Sequence, residues 1–123
     1  GRPRRTGWFD AVAMRYVVEL NGITEVALTK LDVLDDMGPV KIAIAYRING
    51  KTTDELPLAG PMWDAEPIYE ELEGWAGVKE AATYEDLPAS TKRYIDRVQG
   101  LIGARIRLVS IGAERNRIVE KPL

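Results

Sequence analysis

A chain of 123 residues, 46% hydrophobic and 29% charged, can bury a core without disulfides or metals, and its length points to a single domain, residues 1–123. It contains no cysteine and no histidine, which excludes a disulfide scaffold, thiolate metal or redox sites and imidazole acid–base chemistry. A net charge of -2 argues against a nucleic-acid binder held by bulk charge, and no apolar run approaches a membrane span, so the cytoplasm is the expected compartment.

The chain opens Gly1-Arg2-Pro3-Arg4-Arg5, and a first residue other than Met reads as a fragment boundary. Arg2, Arg4 and Arg5, stiffened by Pro3, make an anion clamp, since a guanidinium fork fits carboxylate or phosphate bidentately. Read alone, the same run also describes a frayed, solvated terminus. A helical pattern follows: Phe9, Val12, Ala13, Tyr16, Val17 and Leu20 share one face, Asp10 is placed to cap it, and Asn21-Gly22 stops it.

Next comes the stretch Val26-Ala27-Leu28-Thr29-Lys30-Leu31-Asp32. Its uninterrupted apolar start predicts a buried strand, and its end delivers polar groups to the rim of a sheet. Ligands of open sheets with parallel strands sit outside the carboxyl ends of those strands. An ionised Asp32 is an acceptor only, with two oxygens, so it matches the adjacent ring N–H and exocyclic amino donors of guanine. Adenine presents an acceptor at the ring position and is repelled. Lys30 has a stem long enough to lie over the base plane. Taken by itself, the tetrapeptide also describes a solvated ion pair at a strand end.

Val33 to Pro39 reads as a turn of helix and a loop; Asp32 just before it and Asp35 and Asp36 within it lack the ligand pattern of a divalent-metal site. Val40, Ile42, Ile44 and Tyr46 then alternate with Lys41, Ala43, Ala45 and Arg47, predicting a strand with one buried face. Asn49-Gly50 is the preferred two-residue hairpin turn, and Lys51 to Leu56 returns antiparallel. The run Ala45 to Thr52 nearly matches a phosphate-binding loop, but no helix follows it to face a phosphate. A loop spans Pro57 to Pro67, and Ile68 to Leu72 forms a strand on the hairpin, with Glu70 and Glu71 on opposite faces. Gly74 to Gly77 is a turn, and Thr83 to Leu87 one helical turn before Pro88. Ser90 is the expected cap of a second helix, with Tyr94, Ile95, Val98, Leu101 and Ile102 on one face and Gly103 at its end. The last strand runs Arg105 to Ile111, closing on Ser110-Ile111-Gly112, and the charged tail Ala113 to Leu123 is expected to pack loosely. The fold class is therefore α+β, or mixed α/β. Two main helices lie on a mixed sheet containing a β-hairpin, with strands near 25–29, 40–48, 51–56, 67–72 and 105–111.

These blocks, taken together and in order, resemble the adenylosuccinate synthetase family. The resemblance is carried by Gly1 to Trp8 before a helix, Leu28 to Asp35, Val40 to Arg47 and Glu66 to Glu70. Gly74-Trp75, the helix with Arg93-Tyr94-Ile95, and Val109 to Gly112 complete it. It covers essentially the whole chain and implies the C-terminal portion of a much longer ligase. That enzyme joins inosine monophosphate (IMP) and L-aspartate with GTP hydrolysis and magnesium, the committed step towards AMP. The family's N-terminal phosphate loop, general-base Asp and general-acid His have no counterpart here. The resemblance thus implies no catalytic residue in this chain, no turnover by the chain alone, and magnesium bound by the N-terminal part. It also implies a homodimer at full length.

Residue by residue, Gly1, Arg2, Pro3 and Arg4 match the loop that closes over aspartate, of which residues 1–7 would be a remnant. Arg2 also matches a contact to the ribose of IMP, and Arg4 one to the GTP side. Lys30, Leu31 and Asp32 match the guanine-recognition segment, and Ser110, Ile111 and Gly112 the second guanine-contacting loop. Ala113 stands where the family is expected to have Pro, which frees the backbone after Gly112. A rival of another class is a free-standing, non-catalytic nucleotide-binding or assembly module of the same fold. A third, a nucleic-acid binder using the basic arm, conflicts with the acidic balance.

Overall fold

The structure, a computed structural model, describes residues 6–56 and 64–123. In chain order the elements are β1 (Phe9–Asp10), α1 (Ala11–Asn21), β2 (Glu25–Leu28), β3 (Val40–Ile48), β4 (Lys51–Thr53), β5 (Glu66–Leu72), α2 (Ala89–Ile102), β6 (Arg105–Ser110) and β7 (Ile118–Glu120). Short 3-10 turns occupy Leu31–Leu34, Val78–Glu80 and Tyr84–Asp86. The α+β class, with its two helices and mixed pairing, is as expected. The strands nevertheless divide between two sheets. In one, β3 pairs antiparallel with β5 along one edge and with β1 and β4 along the other, β1 being parallel. In the other, β6 is central, parallel to β2 and antiparallel to β7.

Local signals explain most boundaries. The Asp10 carboxylate accepts from the Ala13 N–H at 3.0 Å and so caps α1, while Gly22 ends it in the left-handed conformation at φ 63°. Asn49 and Gly50 both have positive φ, 50° and 78°, as the tight hairpin requires. That hairpin runs straight into strand β4, where a phosphate loop would open a helix, and this disposes of the phosphate-loop likeness. Thr83 and Asp86 form a reciprocal capping box around the turn before Pro88. Glu70 accepts a bidentate pair of bonds from Arg97 at 2.7 and 2.8 Å, which holds its carboxyl below the usual range.

Other expectations give way to tertiary context. The core face of α1 is Ala11, Val12 and Val18, with Met14 packed against it, whereas Val17 and Leu20 are exposed. Phe9 belongs to β1, and helical spacing in this segment fits two faces; packing against α2 and β3 selects the one with smaller residues. Ser90 does not cap α2: the helix starts at Ala89 after Pro88, whose carbonyl accepts from Lys92, and Ser90 is buried in the first turn. The alternation in β3 breaks around Ile44, an extra residue opposite β5: Val40, Ile42, Ala43 and Ala45 are buried, whereas Ile44 and Tyr46 are half-buried. Strand β2 is not buried throughout; Glu25 and Ala27 are exposed, because β6 covers only its edge and the core only one face. Strand β4 ends at Thr53, short of Leu56, and the loop expected at 57–67 lies mostly outside the described residues. The tail is not loose: β7 pairs with β6 and buries Val119.

The core joins the two sheets through α2. Ile95, Val98 and Ile102 of the helix meet Val40 and Ile42 of β3, Ile106 and Val109 of β6, and Val78 from the 3-10 turn. Gly103, at φ 72°, then turns the chain sharply into β6.

Candidate functional site

Strands β2 and β6 run parallel, and their last paired residues are Leu28 and Val109. Both chains therefore leave the sheet at one rim. Thr29 to Leu34 emerges beside Ser110 to Gly112, and the 3-10 turn packs on β6.

In the first loop Lys30 takes the left-handed conformation, φ 70° and ψ 22°, which is uncommon for a residue with a side chain. The bend drives Leu31 into the core, where it is 1% exposed, and leaves Lys30 exposed and Asp32 half-buried. Three groups hold this turn. The Trp75 indole Nε1–H donates to the Leu31 carbonyl at 3.4 Å, a long bond. The Asp36 N–H donates to the Trp75 carbonyl at 2.9 Å. The Asp35 carboxylate accepts from Val78 N–H at 3.0 Å and Lys79 N–H at 3.2 Å. Trp75 itself is buried and meets Tyr94 edge-on, with centroids 5.1 Å apart. Burial pushes the Tyr94 hydroxyl up to about 12, so it stays neutral at ordinary pH. Gly74 is required here, since a Cβ on it would lie 1.9 Å from the Gly38 carbonyl oxygen.

The second loop follows the same rule. Ser110 and Gly112 are half-buried while Ile111, between them, is 1% exposed. The Ser110 hydroxyl donates to the Gly112 carbonyl at 3.1 Å, and the Ile111 N–H donates to the Arg117 carbonyl at 2.8 Å. The Arg117 stem backs Gly112, and its guanidinium donates to the carbonyls of Lys79 and, at 2.9 Å, Ala81. Arg117 N–H also donates to Glu114 at 3.0 Å, closing the bend past exposed Ala113.

The structure thus brings Lys30, Leu31 and Asp32 to the same rim as Ser110, Ile111 and Gly112. Leu31 and Ile111 have their side chains in the core, which leaves them only main-chain groups to offer a ligand. Gly1, Arg2, Pro3 and Arg4 lie outside the described residues. The acidic cluster does not suit magnesium: both Asp35 oxygens already accept backbone N–H bonds, and no metal-binding group of three His, Cys, Asp or Glu occurs among the described residues. Reading the sequence overlooked Asp35, Trp75 and Arg117 as supports. An indole inside a Gly-rich turn was a usable signal of an anchor; nothing local marked Arg117.

A buried aliphatic pivot in each of two neighbouring loops marks the carboxyl ends of the parallel strands as the candidate site of this α+β protein. A family model described as adenylosuccinate synthetase matches residues 1–119. The adenylosuccinate synthetase of Geobacter sulfurreducens is 48% identical over 121 residues, 97% of this chain and 28% of that protein. That of Pelobacter propionicus is 46% identical, with the same coverage. A solved structure, of fully ligated adenylosuccinate synthetase from Plasmodium falciparum, superposes with a TM-score of 0.89 at 27% identity. It covers 98% of this chain and 30% of that one. The chain belongs to the adenylosuccinate synthetase family, and it spans about 28% of the length of these curated relatives.

Proposed function

We propose that this chain is the C-terminal, guanine- and aspartate-binding part of a GTP-dependent carbon–nitrogen ligase that makes adenylosuccinate from IMP and L-aspartate. Asp32 accepts from the ring N–H and exocyclic amino group of guanine, Lys30 lies along the base, and the Ser110–Gly112 backbone flanks it. Arg2 holds the aspartate carboxylates and the ribose of IMP, and Arg4 reaches aspartate and the GTP side, completing the loop formed with Gly1 and Pro3. Nucleophile activation, proton donation and magnesium belong to the N-terminal part of the same enzyme. The full-length protein works as a cytoplasmic homodimer, and the isolated chain does not turn over.

One observation carries this reading: the parallel pairing of Leu28 with Val109, which starts both loops from adjacent strand ends. The family match supports the reaction class. The test is Asp32→Asn in the full-length enzyme. A hydrogen bond to a charged group contributes about 1.5–3 kcal/mol, so the variant is expected to raise the KM for GTP by roughly ten- to a hundredfold, with the KM for IMP little changed. An unaltered KM for GTP overturns the assignment.

A further inference from the structure

We infer that the segment from Trp75 to Ala81 is a strap that sets the spacing of the two base-flanking loops, with Asp35 and Arg117 as positioning residues for base recognition. This rests on the guanine-site reading above.

Lys79 joins the two loops. Its N–H donates to the Asp35 carboxylate, three residues past Asp32 in the first loop. Its carbonyl accepts from the guanidinium of Arg117, whose own carbonyl holds Ile111 in the second loop. One residue of main chain is therefore bonded to both sides of the rim. The bonds on either flank repeat the pattern: Val78 N–H reaches Asp35, and the Ala81 carbonyl reaches Arg117. Trp75 fixes the start of the strap against Leu31, the buried pivot of the first loop. The supports are far apart in sequence, so their convergence is tertiary. Both are charged, which strengthens their bonds to backbone groups. Arg117 reaches both carbonyls from one terminal nitrogen, Nη2, which carries two N–H donors held in the plane of the guanidinium. None of these side chains needs to touch the nucleotide. They act by fixing where Asp32 stands relative to Ser110 and Gly112. A loosened strap should weaken discrimination for the exocyclic amino group before it affects the other substrates.

The test uses the full-length enzyme and the variants Arg117→Gln and Asp35→Asn. Steady-state kinetics are measured for GTP and for inosine triphosphate, which lacks that amino group, with the KM for IMP and a thermal melt alongside. The preference for GTP over inosine triphosphate is expected to fall by about tenfold in each variant, with the KM for IMP held within about twofold. Arg117→Lys, which retains the positive charge and the donor character, should recover part of the preference. A wild-type preference in Arg117→Gln overturns the strap, even if the melting temperature drops. Should Asp35→Asn fail to fold, the two Arg117 variants decide the matter. Asp32→Asn separates the two claims. If it abolishes the preference while the strap variants do not, only the strap falls. If it too leaves the preference intact, the guanine site falls first.

Discussion

The two ends of the β2–β6 strand pair are built on opposite plans. At the amino end, Glu25 is paired with Arg105 at 3.1 Å and with Arg107 at 3.8 Å, and Arg107 reaches Glu120 at 3.7 Å. These charges line the broad concavity at that end, but they neutralise one another and their side chains are partly solvated. At the carboxyl end the charges of Asp35 and Arg117 are turned onto backbone groups, and the loops they hold expose Lys30 and half-expose Asp32 and Ser110. A charge-lined hollow is thus a poor guide to function where its central charges are paired with one another. A rim whose main chain is locked while its polar tips face outward is better prepared to bind, because the ordering cost is met before the ligand arrives.

The contrast can be broken by unequal perturbations. The largest effect is expected from Trp75→Ala, which empties an aromatic site against Tyr94 and removes the donor to Leu31. Loss of a buried aromatic costs about 3–5 kcal/mol, to be read by denaturant unfolding. A loss under about 1 kcal/mol would show that the carboxyl end does not depend on its anchor. Gly74→Ala comes next. Its Cβ meets the Gly38 carbonyl, so the strand-end backbone must shift, at about 1–3 kcal/mol by the same measurement. Wild-type stability there would mean the close approach relaxes freely. The smallest effect is expected from Glu25→Gln at the amino end. An exposed ion pair contributes about 0–1 kcal/mol, and GTP kinetics of the full-length enzyme should stay at wild-type values. A changed KM for GTP in that variant would erase the distinction between the two ends.

The residue order alone singled out both candidate loops, which the structure brings to one rim, because each is a local event. An apolar run gives way to Lys30 or Ser110, and the chemistry of Asp32 can be argued without coordinates. The supports were illegible for the converse reason. Asp35 looked like part of an acidic cluster until Val78 and Lys79 were seen to donate to it, and Arg117 lay in a tail expected to be loose. The face of α1 was misjudged because Val17 and Leu20 fit the helical period as well as Ala11 and Val18 do.

Alone, the residue order determined what backbone dihedrals and side-chain period control: the Asp10 cap, the stops at Gly22 and Gly103, the Asn49-Gly50 hairpin, the buried face of α2, and the family resemblance. Only the tertiary structure decided that the strands form two sheets, that β7 closes the second, and that Lys79 joins both loops. Strand pairing and bonds between distant segments depend on which surfaces meet. That is a property of the packed chain, and no window of neighbouring residues contains it.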